Sequence, residues 1–267
     1  MPRAPRTLPL VAPEVVHRPA TGAVELALAD ALESAPTRAA RVTGVIVVAL
    51  ERIGDHPASL EVARALPAGT RERLLQLIGA RRRPPPDWRE AVCERCGQRY
   101  DLEVDLGALP VRPPGAGFPV AEVQTSRGLR RFEVPNGHHE EALAGRGLTG
   151  ERAARMLLAL AGLDDDANEA AADFTPGDLV QIDQALEQAS PEAVETLDGI
   201  CPSCGAPTRA RIDSLFGLFP RLDDVLDEVH ALASAYGWSE AEILAMPDDR
   251  RRRYLDRVAT AGRQRVA

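Results

Sequence analysis

Four cysteines carry the chemistry most legible in this chain: Cys93-Glu94-Arg95-Cys96-Gly97 and Cys201-Pro202-Ser203-Cys204-Gly205. Two intervening residues let both sulfurs of a pair reach one ion from a tight turn. The glycine behind the second cysteine can take the left-handed conformation that aims backbone N–H groups at the sulfurs. Each pair therefore reads as a zinc knuckle, and together they supply the closed tetrahedral set of one structural Zn²⁺ per chain. A closed set leaves no position for water or substrate, which argues against zinc catalysis. The 104 residues between Cys96 and Cys201 exceed ordinary ribbon spacing, so this pairing requires an insertion folded between the two halves. The competing readings are metal-free thiols, a disulfide or a redox pair. A redox C-x-x-C opens a helix after a strand, whereas here an alternating segment follows Cys96.

The other reactive side chains point to less. His138-His139 after Pro135-Asn136-Gly137 are expected to face solvent at a turn, and His230 reads as a packing or surface residue of a helix. Asp164-Asp165-Asp166 lacks the glycine and distal glutamate of a calcium loop. Arg81 to Arg83 and Arg250 to Arg253 read as solvated faces that could also grip an acidic partner. No glycine-rich phosphate loop, nucleophile elbow or paired-carboxylate signature is present.

The elements that must position the cysteines follow from periodicity. Residues 1–20 hold five prolines and read as an extended, unstructured arm. The β-branched run Val45 to Leu50 could form a strand, but Val42, Val45, Ile46, Ala49 and Ile53 also fit one helix face, and Arg71 to Ile78 reads as a short helix ending at Gly79, before the stop at Pro84 to Pro86. Tyr100, Leu102, Val104 and Leu106 alternate with acidic residues as a half-buried strand. Val120 to Gln124 and Leu129 to Val134 flank Thr125 to Gly128 as a hairpin. Thr149, Thr175 with Pro176, and Ser190 with Pro191 are candidate helix N-caps. Leu215, Leu218, Leu222, Val225, Val229, Leu232 and Tyr236 predict one helix of about six turns. Gly237 then ends that helix, and Ser239 with Glu242 forms a capping box with Trp238 stapled on Ile243.

Composition bounds the class. The 267 residues carry a net charge of −8, with 45% hydrophobic and 4% aromatic residues, so a polyanion-binding surface with many stacking rings is not expected. All 32 basic residues are arginine. No segment reads as a secretory signal or membrane span, and synthesis is expected in the bacterial cytoplasm, where thiols stay reduced.

Several stretches together resemble one family. They are Leu66-Pro67-Ala68-Gly69-Thr70-Arg71-Glu72-Arg73-Leu74-Leu75; the first knuckle with Tyr100 to Leu106; Phe132 to Gly137 leading into Glu140 to Leu143; the second knuckle with Ile212 to Phe216; and Val229 to Ala233 with Tyr236-Gly237-Trp238-Ser239-Glu240-Ala241-Glu242-Ile243-Leu244. They look like the baseplate hub assembly chaperone family of T-even-type phage contractile tails, in the zinc-knuckle form found in phage-like tail and contractile injection clusters. The resemblance covers about residues 61 to 260. It implies a non-enzymatic assembly factor or minor component of the baseplate that binds a hub or wedge protein. It would act in the cytoplasm during assembly, with retention in the particle as the alternative.

The expected fold is α-rich α+β: a split four-cysteine zinc ribbon holding a helical insertion and anchoring a C-terminal helical hairpin. Its parts are an arm (1–20), a helical segment (21–90), the first knuckle and β-hairpin (91–135), the insertion (136–200), the second knuckle (201–213) and C-terminal helices (214–267). The last helix carries a thin stripe of Tyr254, Leu255 and Val258, which a single chain buries poorly. Tyr254 and Leu255 are therefore expected to anchor a partner, with Arg250 and Arg251 meeting its carboxylates at the rim. The alternative function is a nucleic-acid-binding zinc-ribbon adaptor, opposed by the net charge.

Overall fold

The computed structural model describes residues 3–83, 87–215 and 217–266, with side chains described through 261. The chain is mixed helix and strand. Its first third comprises β1 (Val15–His17), α1 (Gly22–Ser34), α2 (Arg38–Ala49), β2 (Leu50–Ile53), β3 (His56–Pro57), α3 (Leu60–Ala65) and α4 (Ala68–Arg82). Thr21, Thr37 and Ser59 each accept a backbone N–H three residues on, which starts α1, α2 and α3 where their sequences turn helical. The face of α2 predicted from Val42, Val45, Ile46 and Ala49 is buried against Leu28, Leu66, Leu74, Leu75 and Ile78. Ile53 reaches that core from β2 instead, because the chain leaves the helix at Leu50 and pairs with β1.

Residues 3–20 are not the free arm their prolines suggested. Val15–His17 pairs antiparallel with β2, Leu8 donates its N–H to Ala65 O at 2.8 Å, and Thr7 is buried. Helix α4 also runs past Gly79 to Arg82. Gly79 lies where a Cβ would sit 2.7 Å from Leu218 Cδ1, so the glycine serves a close approach and not a helix end. The expected stop at Pro84 to Pro86 lies outside the described residues.

The middle of the chain opens with a hairpin of β4 (Asp87–Val92) and β5 (Arg99–Val104), followed by β6 (Val111–Arg112). The predicted hairpin forms as β7 (Val120–Thr125) and β8 (Gly128–Glu133), with Gly128 at φ +91° closing its two-residue turn. Then come α5 (Gly137–Leu143), α6 (Gly150–Ala161), α7 (Ala167–Asp173) and α8 (Pro176–Ala189). Helix α8 starts where Thr175 and Asp178 cap each other and Pro176 needs no N–H partner. Helices α6, α7 and α8 close a second core over β7 and β8, in which Phe132 and Phe174 meet edge to face at 6.1 Å.

Ser190 does not start a helix. Its hydroxyl donates to Leu186 O at 2.6 Å at the end of α8, and the chain continues as β9 (Glu192–Ala193), β10 (Thr196–Ile200) and β11 (Pro207–Arg211). The short β9 pairs with β6, so the helical insertion ends at Ala189. The six-turn helix expected from Leu215 is shorter too. Leu218 is buried beneath the hairpins, Leu215 and Phe219 pack against the first core, and α9 (Leu222–Tyr236) begins only after Pro220. Gly237 at φ +70° ends α9, and α10 (Glu240–Leu244) and α11 (Asp248–Val266) follow. Among the described residues no helix is long and apolar enough to cross a membrane.

Candidate metal centre

Each cysteine pair sits in the turn of a hairpin, where the ladder forces the two thiols onto one side. In the first hairpin Val92 pairs with Arg99, and in the second Ile200 pairs with Pro207. Inside the first turn Cys93 N–H donates to Gln98 O at 2.9 Å and Gly97 N–H to Cys93 O at 2.8 Å. The second turn repeats this with Cys201 N–H to Ala206 O at 2.9 Å and Gly205 N–H to Cys201 O at 3.0 Å. Gly97 (φ +71°) and Gly205 (φ +69°) take the left-handed conformation that lets the chain re-enter the ladder. The two turns are near-copies in hydrogen bonding, as expected of one local solution used twice.

The turns face each other. Cys93 Sγ lies 3.8 Å from Cys204 Sγ and Cys96 Sγ 3.8 Å from Cys201 Sγ, and all four sulfurs lie within 4.8 Å of one another. Four sulfurs placed about 2.3 Å from a central ion at tetrahedral angles are about 3.8 Å apart. The four cysteines are free thiols, so a cation can be held by all of them together. Cys93 and Cys201 are buried, while Cys96 and Cys204 are exposed.

Burial opposes ionisation of Cys201, but the N–H groups of Cys204 and Ser203 and neighbouring thiols donate to its sulfur and bring it down to about 7. At Cys204 the Ala206 N–H favours the thiolate, yet burial and the three other cysteines prevail and push it up to about 12.

The hairpins are also joined directly. Tyr100 O–H donates to Thr208 Oγ1 at 2.7 Å, and beneath the cysteines Val104, Leu106 and Leu109 pack with Ile212 and Leu218. Leu102, Val104 and Leu106, three of the four predicted alternating residues, contribute to this small core together with Leu197 from the second hairpin.

No family model, curated protein or solved structure matches this chain.

The candidate partner residues divide. Arg250 is exposed, and Tyr254 and Leu255 are half-buried. Arg251, expected at the rim of a partner surface, is buried (1% exposed) and serves the interior. Its guanidinium contacts Glu25, Glu228 (3.0 Å) and Asp248 (3.4 Å), tying α11 to α1 and α9. The capping box is present, with Ser239 N–H donating to Glu242 Oε2 at 2.9 Å. Trp238 stacks on Tyr236, their ring centroids 4.5 Å apart, and meets Tyr254 edge-on at 4.8 Å.

A polar junction elsewhere was not foreseen. His139, expected in solvent, is buried (1% exposed). Its Nδ1 accepts the Asn136 N–H at 3.2 Å, which places the ring proton on Nε2, 3.2 Å from Glu133 Oε1. Glu133 Oε2 accepts the N–H groups of Arg6 (2.7 Å) and Thr7 (2.9 Å) and the Thr7 hydroxyl (3.0 Å). Burial alone would raise the Glu133 carboxyl, but His139, Thr7 and Arg6 hold it down at about 2. The available signal was the spacing: Asn136 and His139 stand as N-cap and third helical residue, a capping box with imidazole in place of the usual carboxylate.

Arg71 was also unforeseen. It shares the helix stripe of Leu74, Leu75 and Ile78, and it is buried, with its guanidinium on Glu140 (2.7 Å), Ala63 O (2.6 Å) and Ala39 O (2.9 Å).

Proposed function

We propose that Cys93, Cys96, Cys201 and Cys204 hold one structural Zn²⁺, making the two hairpins the halves of a split zinc ribbon. We further propose that the chain is a non-enzymatic assembly factor or minor structural component of the baseplate of a phage tail or phage-like contractile injection system. There it binds a hub or wedge protein. The donor chemistry and the sulfur spacing favour zinc: four soft thiolates at tetrahedral edge lengths suit Zn²⁺ far better than a hard cation. Zinc here ties two hairpins whose shared core is small. With every ligand position filled by protein, the ion has no place for a substrate.

One observation carries the baseplate reading beyond the quoted residues themselves. Two stretches of the resemblance, more than fifty residues apart, meet: Pro67 pairs with Asn136, Ala68 N–H donates to Pro135 O at 3.0 Å, Gly137 N–H donates to Leu66 O at 3.3 Å, and Arg71 grips Glu140. Segments that form one structural unit are what a shared framework would require; scattered chance matches would not need to touch. The adaptor alternative is less supported, because arginines on the hairpins are engaged by carboxylates: Arg99 with Glu90 at 3.0 Å and Arg209 with Asp198 at 2.8 Å.

The test has two parts. Metal analysis of gently purified protein should give one zinc per chain, and tagged protein purified from a producing cell should bring down baseplate hub or wedge proteins encoded beside sheath and tube genes. Nuclease-sensitive co-purification of nucleic acid in their place would overturn the baseplate reading, and iron or no metal would overturn the zinc reading.

A further inference from the structure

Most arginines near the centre of the molecule have a carboxylate within reach, and several on α11 do not. Between residues 248 and 266 the chain has seven arginines and three aspartates, in a protein whose net charge is −8. Arg251 is spent internally on Glu25, Glu228 and Asp248, and Arg252 lies 3.8 Å from Glu25. Arg250, Arg253 and Arg257 form no ion pair among the described residues, and all three are exposed. Their spacing of three, then four, places them along one side of the helix.

That side surrounds an aromatic cluster. Tyr236 and Trp238 stack at 4.5 Å, and Tyr254 stands edge-on to both, at 5.6 Å and 4.8 Å. The guanidinium carbons of Arg250 and Arg257 each lie 5.9 Å from the Tyr254 ring centre. The rings are not enclosed: Tyr236 is 39% exposed, and Trp238 and Tyr254 are half-buried. Rigid, partly desolvated aromatic rings bordered by unpaired arginines match the make-up of the few residues that dominate protein interfaces.

We infer that Tyr236, Trp238 and Tyr254, bordered by Arg250, Arg253 and Arg257, form the docking site for an acidic segment of another protein. An aliphatic side chain of that segment covers the rings, and its carboxylates take the three guanidinium groups that form no ion pair among the described residues, of which Arg257 already donates through Nη1 to Arg253 O at 2.7 Å. Charge selects this occupant. A carboxylate-bearing segment gains paired hydrogen bonds at each arginine. A nucleic-acid strand would have to bring its phosphates to a chain whose net charge is −8. The inference deepens the proposed hub or wedge binding and rests on it only for the partner's identity. It keeps Tyr254 in the anchor, replaces Leu255 there with Tyr236 and Trp238, and drops Arg251 from the rim.

The experiment places a photo-crosslinking amino acid at position 253 of the full chain, expressed in a producing cell. The adducts are identified by mass spectrometry. The expected result is an adduct to an Asp/Glu-rich segment of a second protein, reduced at least tenfold when R250E and R257E are added, with an unchanged melting temperature. Y254L, which keeps bulk but removes the aromatic ring, should reduce it severalfold. An adduct to a segment without acidic residues, to nucleic acid or to a second copy of this chain would overturn the inference. So would the absence of any adduct, or an adduct indifferent to R250E and R257E. If the acidic segment belongs to a protein outside any tail, the docking site stands and the baseplate reading falls.

Discussion

Two joins hold distant parts of this chain together, and they use opposite means. At the cysteine cluster, hairpins about a hundred residues apart meet through four sulfurs, one hydroxyl contact and a small core. At the polar junction, the N-terminal residues, the end of β8 and the start of α5 meet through Glu133, His139, Asn136 and Thr7, while Arg71 binds Glu140 close by. The first join concentrates its strength in one proposed ion, with only modest packing beneath it. The second spreads over many hydrogen bonds around two buried charges and borders the large first core. One should fail when a single ligand is lost, and the other should weaken by increments.

The largest expected effect is therefore at the cluster. Cys201→Ser, or removal of the proposed metal by a strong chelator, should cost about 5 kcal/mol or more, because a metal bound there would supply folding free energy to a site with little else to hold it. Urea unfolding checks this. A midpoint equal to that of the wild type would erase the contrast between the joins.

Arg71→Ala should come next, at about 3 kcal/mol. It leaves Glu140 without its cation and strips Ala63 O and Ala39 O of their donor. The same sample should still hold one metal per chain. A fall in metal content together with stability would show that the joins are one cooperative unit.

Glu133→Gln should cost about 1–3 kcal/mol through lost charge-assisted hydrogen bonds. It carries a pH signature. Because the folded-state carboxyl is held at about 2, below its ordinary value of 4.5, its contribution is fully present above pH 4.5 and is lost as pH falls from there toward 2. The stability gap between wild type and variant should thus narrow on acidification, and the Thr7 amide should exchange faster in the variant at neutral pH. A gap that stays constant down to pH 3 would remove the charge from the explanation.

The smallest effect is at Gly205→Ala. A Cβ there would meet nothing within 4 Å, so the cost is only that of a left-handed backbone, about 1 kcal/mol, seen as a few degrees in melting temperature. A loss as large as that of Cys201→Ser would mean that the turn, and not the ion, holds the hairpins together.

What the sequence by itself determined is what depends on neighbours a few residues away. The C-x-x-C-G turns, the β7–β8 hairpin, the Thr175 cap with Pro176, the Ser239 and Glu242 box and the end of α9 at Gly237 are all set by contacts within about five residues, and their residue types announce them. Tertiary structure decided the rest. Ser190 with Pro191 has the residue types of a helix start, but β9 is taken up by β6, more than seventy residues earlier. Leu215 and Leu218 continue a helical period, but the cores beneath them claim those side chains before α9 begins. Arg251 stands in a run of four arginines, and only the arrival of Glu25 and Glu228 separates it from its exposed neighbours. His139 and Arg71 are ordinary polar residues until Glu133 and Glu140 are brought to them. A buried charge is tolerated only when its partner is present, and that partner's position is a property of the folded chain.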